Sequence, residues 1–423
     1  MAKHAGKTSF KMIIYSRRTL VLILTLALLL LEARSNKSLF NSARHNLWSS
    51  KYLHFVFNSG RKGGDKFDFP PDHPRAAIWF GQEAMLEGNL SNSRSFLSPY
   101  VDQENPFAQS IFGKASYASG DHSQAISSWV EAGDIQSLWK AGNELSKNGQ
   151  NQLALQAYLA SYVLSPEQSV LYLADFHQKQ EQDLEQAEAV LKAALKDFSK
   201  SRFRREWLHA LAEVLQTKQN WSESENVFEQ ILAEYPNDRT AHIGLGWCNY
   251  EGRSDPHKAI AEFNLAISLD PMQGHGYFAI GQLMARENRY DEADGWFQKA
   301  IERNSDRRLW YLIRANMARN NKNLVLALDV YSDTVTLFPD FTKAYYEMAW
   351  AYYMADEFDA AVHAIEKAFD LLEAPDHRYN LRSALIYERA GNIQKAKDQY
   401  LQVLSMDSDN KTAQSGLIRL ENK

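Results

Sequence analysis

A small residue recurs along this chain at a spacing close to 34. Ala125, Ala154, Ala187, Ser224, Ala259, Ala293, Ala327, Ala361 and Ala396 are separated by 29, 33, 37, 35, 34, 34, 34 and 35 residues. A period of that length confines the fold to an array of one supersecondary unit. Four residues after each marker stands a large side chain: Trp129, Tyr158, Leu191, Phe228, Phe263, Phe297, Tyr331, Ile365 and Tyr400. Three further on, most copies carry a residue of modest size, as in Ala132, Ser161, Ala194, Ala266, Ala300, Thr334 and Ala368. Small, large and small at i, i+4 and i+7 share one face of a helix. Pro166, Pro236, Pro271 and Pro339 follow twelve residues after their markers, where the ring ends one helix and fixes the turn to the next.

A second helix precedes each marker. Twelve residues upstream lies Gly113, Gly142, Ala212, Gly281, Ala315, Ala349 or Ala384, with Gly246 one place out of register and Asp175 replacing the small residue in the third copy. Small side chains there let two helices approach closely. Trp221, Tyr290 and Phe358, three before their markers, are placed to plug the turn between helices. These residues resemble the tetratricopeptide repeat family, whose motif runs W-x2-L-G-x2-Y, then A-x3-F, then P. Gly281, Ala293, Phe297 and Ala300 match it, as do Tyr345, Ala349, Tyr352, Ala361 and Ala368. The resemblance covers residues 106–410 and implies an all-α fold, a right-handed α-solenoid of about nine helix hairpins stacked on a shared core. Thr412 to Leu420 is the expected capping helix, within a C-terminal segment 411–423.

Ahead of the repeats the chain changes character. Residues 1–75 hold 13 Lys+Arg against 4 Asp+Glu, although the whole chain carries a net charge of −5. Thr19 to Leu31 is an unbroken apolar run behind Arg17 and Arg18. Thirteen residues rise only about 20 Å as a helix, against about 30 Å of bilayer hydrocarbon. The segment 19–33 therefore reads as a signal anchor, one N-terminal hydrophobic helix that flanking arginines help to span, or as a cleaved signal peptide with Ala33 and Ser35 before the cut; a buried helix of a cytosolic protein is the third reading. With the basic flank 1–18 held inside, both export readings put everything after about residue 35 outside the cytoplasm. They make the protein single-pass with a cytoplasmic N-terminus, or secreted after cleavage. Residues 34–74, which include Gly60 to Pro74, read as a linker, and Ala76 to Glu87 as a helix within a degenerate solenoid start over 75–105.

The acidic body argues against nucleic acid as a partner. A lone cysteine, Cys248, excludes an internal disulfide, and its apolar helix favours a buried, inert thiol. There is no HExxH, GxSxG or complete GxGxxG, and the histidines have no ligand spacing. The sequence thus predicts no catalytic residue, no metal and no cofactor.

Binding has more support. By the resemblance, groove positions lie three before, and one and four after, the small residue of each first helix. They comprise Ile243, Trp247 and Tyr250; Phe278 and Gln282; Leu312, Asn316 and Arg319; Tyr346, Trp350 and Tyr353; Leu381 and Leu385. Rigid aromatics suit an extended peptide or a sugar chain; the alternative is that they pack between repeats. Asn316, Arg378 and Arg382 resemble the family's carboxylate clamps, but Glu347 in the same place would repel a carboxylate. The expected function is a non-catalytic scaffold, membrane-tethered or exported, holding a protein or peptide in its concave groove, as in cell-envelope assembly. The alternative is a carbohydrate-binding accessory subunit of an envelope polysaccharide system. Exposed end hairpins leave self-association open.

Overall fold

The computed structural model describes residues 74–101, 105–180, 182–372 and 379–421. The basic flank, the apolar segment 19–33 and linker residues 34–73 lie outside them, while Pro74, the last residue assigned to the linker, opens the first helix. Among the described residues there are 21 α-helices, one π-helical turn and no strand. Pro74–Leu86 (α1) and Leu90–Val101 (α2) form the first hairpin, followed by Pro106–Ala118 (α3) with His122–Ala132 (α4), and Ile135–Lys147 (α5) with Asn151–Leu164 (α6). Pro166–Lys179 (α7) pairs with Leu184–Asp197 (α8), Arg204–Thr217 (α9) with Trp221–Glu234 (α10), and Arg239–Trp247 (α11) with Pro256–Leu269 (α12). The array continues with His275–Arg286 (α13) and Tyr290–Arg303 (α14), Arg308–Asn320 (α15) and Leu324–Leu337 (α16), then Thr342–Met354 (α17) and Phe358–Asp370 (α18). Asn380–Arg389 (α19) and Ile393–Met406 (α20) make the last hairpin, and Lys411–Glu421 (α21) packs on α20.

Every marker is buried, and so is every large residue four positions on. The reason for the small residue upstream is visible at Gly281, where a Cβ would sit 2.8 Å from the ring of Phe297. Each first helix therefore lies against the large side chain of its own second helix, and dispersion at close packing holds the pair. Hairpins then pack on their neighbours in series, α10 on α9 and α11, α18 on α17 and α19. The buried side chains run on from hairpin to hairpin as a line of apolar clusters. Most turns within hairpins have three residues, the middle one left-handed: Gly149, Gln219, Asn288, Lys322, Asp356 and Gly391 all have positive φ.

Two features depart from the expected count and register. Ten hairpins and a cap are present where nine hairpins were expected, because α1 and α2 form a full repeat. Gly81 stands twelve before Ser93, and Leu97, four after Ser93, fills the space that a Cβ on Gly81 would take. Ser93 donates to the Gly81 carbonyl at 2.6 Å, as the marker Ser224 donates to that of Ala212 at 3.1 Å. The displaced Gly246 is explained by the π turn Cys248–Gly252, which absorbs one extra residue. Gly246 still meets the ring of Phe263, as the in-register glycines meet theirs. No helix among the described residues is long and apolar enough to cross a membrane.

Candidate partner-binding groove

The first helices α11, α13, α15, α17 and α19 carry the expected groove residues except Tyr250, which lies in the π turn after α11, and Arg378. Between α11 and α13 lies a cleft of about 250 Å³, and Ile243, Trp247, Phe278 and Gln282 line it together with Arg239 and His275. Four residues chosen by register thus meet in one depression. Trp247 rests on Phe263 at 5.3 Å between ring centres, and the Arg286 guanidinium lies 4.7 Å over its indole. Arg286 is itself paired with Glu251. Tyr250 donates to Glu287 Oε1 at 2.7 Å, and burial with that bond pushes its phenol up. Phe278 is stacked on Trp310 at 4.8 Å and tilted against Phe297. Its ring therefore serves packing between repeats while its edge reaches the cleft.

Further along, the side chains engage one another. Asn316 accepts a 2.5 Å bond from the hydroxyl of Tyr331, a fully buried residue. Asn143 does the same for Tyr158 at 2.8 Å, so Asn316 satisfies a phenol of its own hairpin. Arg319 is 9% exposed and ion-paired with Glu347, and Arg382 reaches the same carboxylate at 3.1 Å. Glu347 thus neutralises one of two guanidiniums and leaves the trio with a net positive charge. Arg382 lies 5.2 Å over Tyr346 and 5.0 Å over Trp350, positions that fix it between rings and carboxylate. Burial raises the Tyr346 phenol. Tyr346 also meets Tyr379 edge-on at 4.3 Å, and Trp350 stacks on Tyr353 at 4.7 Å. Leu312 is buried and belongs to the core, whereas Leu381 and Leu385 are half-buried. Arg378 lies outside the described residues.

A larger cleft, about 560 Å³, opens between α5, α7 and α9 and was not among the expected positions. The same offsets find part of it: Trp139 and Asn143 flank Gly142, Tyr172 stands three before Asp175, and Glu213 follows Ala212. Among the described residues no group of three or more His, Cys, Asp or Glu side chains is placed to hold a metal ion.

Residues 209–273, 278–340 and 346–411 each match the tetratricopeptide repeat family. An uncharacterized protein, ycf37 of Guillardia theta, is 40% identical over 70 residues, 16% of this chain; the chain spans 38% of that relative's length. Among solved structures, yeast Tom70 is similar at 14% identity and a TM-score of 0.43, covering 82% of this chain and 88% of its own. PilW, a widely conserved type IV pilus biogenesis factor, is similar at 20% identity and a TM-score of 0.42, covering 51% of this chain and 100% of its own. The stretch 209–411 of this chain is therefore built of tetratricopeptide repeats.

Proposed function

We propose that this protein is a non-catalytic scaffold that holds an extended segment of a protein partner along the first-helix face from α11 to α19. The observation that carries this reading is the cleft where Ile243, Trp247, Phe278 and Gln282 converge. It is continued by the aromatic and guanidinium platform of Tyr346, Trp350 and Arg382. Rings already packed on neighbours lose little entropy when a ligand covers them. We further propose that residues 19–33 tether the chain to a membrane with the repeats outside the cytoplasm, as the basic flank and apolar run suggest. A role in cell-envelope assembly fits that placement.

A photo-crosslinking residue placed at Gln282 should give protein adducts in cells, and the same residue at Gln298, exposed on α14, should not. Trp350→Ala should lower the yield with the helical signal retained. Adducts from Gln298 alone, or a yield unchanged by Trp350→Ala, would overturn the groove. Binding on a glycan array would move the assignment to the carbohydrate alternative. Protease applied outside intact cells should remove a C-terminal tag; a protected tag would refute the topology.

A further inference from the structure

The cleft between α5, α7 and α9 differs in chemistry from the platform at α15 to α19. Its walls include Trp139, Tyr172 and Phe203, with Trp139 and Tyr172 stacked 4.7 Å apart at an interplanar angle of 17°. Trp139 is held from behind, its indole N–H donating to Ser169 Oγ at 3.2 Å. Three carboxylates, Glu167, Asp175 and Glu213, border the same space against a single guanidinium, that of Arg202. Asp175 is engaged by Lys179 at 2.5 Å, while Glu167 and Glu213 make no ion pair among the described residues. Arg202 lies 4.7 Å over the ring of Phe203 at the rim, where the lengthened α8–α9 linker delivers it.

We infer that this cleft is a second recognition site, one that takes an arginine side chain of an extended partner polypeptide with an apolar neighbour beside it. The inference rests on reading the first-helix face as the binding face, and it adds a direction to that reading. A guanidinium is planar and weakly hydrated, so it stacks on aromatic faces while its N–H fork meets carboxylates. Arg202 on Phe203 shows the same pairing within the chain. A volume of about 560 Å³ exceeds one side chain and leaves room for the apolar neighbour against Leu171 and the rings. With a net negative cleft at α5 to α9 and a net positive trio at α15 to α19, a ligand running along the face is oriented, its cationic portion toward the N-terminal repeats.

The test is calorimetric titration of the full chain with a capped pentapeptide, Gly-Arg-Leu-Arg-Gly, and with its citrulline counterpart, which keeps the shape and removes the charge. The arginine peptide should bind at least tenfold more tightly, and the double variant Glu167→Gln with Glu213→Gln should erase that difference without changing thermal unfolding. Glu302→Gln, on α14, should leave it intact and so exclude a mere change of net charge. Equal binding of the two peptides, binding of neither, or an undiminished preference in the double variant overturns the inference. Each of those results leaves the crosslinking at Gln282 and the Trp350→Ala comparison standing, so failure here is distinct from failure of the groove.

Discussion

Asp238 shows how much one side chain can hold. It caps α11 by accepting from the Ala241 N–H at 2.9 Å, and its other oxygen takes Arg205 Nε at 2.7 Å and the His209 ring at 2.9 Å. At 1% exposure, burial alone would raise this carboxyl, but the Ala241 amide, His209 and Arg205 together bring it down to about 2. A carboxyl depressed on folding stabilises the native state above its unfolded value, near 4, and loses that contribution as pH falls toward 2. Asp238→Asn should therefore cost about 2 kcal/mol at neutral pH, and the gap to the parent chain should close between roughly pH 4 and 2. Denaturant titrations at several pH values would show it; a gap independent of pH in that window would refute the assignment. Cys248 makes the opposite case, a group silenced by its surroundings. Burial pushes its thiol up, and Sγ lies 3.5 Å from Ser224 Oγ. Iodoacetamide should label it only in denaturant, and labelling of the native chain within minutes would contradict that burial.

At the scale of the element, the π turn after α11 is the informative exception. A π bulge is an α-helix with one residue too many, and the flanking turns keep their register around it. Deleting Glu251, an exposed residue of that turn, should let the helix close as a regular α-helix with Gly246 still against Phe263. The expected change in midpoint corresponds to less than about 1 kcal/mol, whereas deleting Gln282 from α13 should unfold that hairpin, because every residue beyond it rotates off the core. Equal damage from the two deletions, by circular dichroism melting, would count against the bulge. The same region marks where the residues could and could not be read. Ala293, Phe297 and Gly281 announce their packing by spacing alone, since each faces a partner of its own hairpin. Gly246 did not, because backbone geometry absorbed its offset. The first hairpin hid behind a serine marker and Pro99, although Gly81, Ser93 and Leu97 keep the usual intervals. In the groove, register placed Trp247, Phe278 and Gln282 in one cleft and Glu347 in the same place as Arg382, but it did not show that Glu347 pairs with both Arg319 and Arg382, which depends on side-chain reach between successive hairpins. It also missed Arg202, delivered by a linker that has no fixed period.

Among the described residues the helices form a series of hairpins, each packed mainly on its neighbours, so their stability is close to a sum of local terms rather than a single cooperative quantity. The C-terminal end makes this testable. Helix α21 covers Tyr400, which is fully buried, and brings Gly416 onto its ring. Arg419 grips Glu388 with both ends of its fork, at 2.9 and 2.8 Å, while Tyr400 donates to the same carboxylate at 2.7 Å. Removing residues 411–423 would expose the ring and take Arg419 from Glu388, a combined loss that a single hairpin of two helices cannot offset alone. Hydrogen exchange on the truncated chain should show protection lost through α19 and α20 and retained from α9 to α16. Loss spread evenly along the array would mean that the repeats fold as one cooperative block. Unchanged protection in α19 and α20 would mean that α18 alone is enough to hold them, and that the cap serves only to keep Tyr400 from solvent.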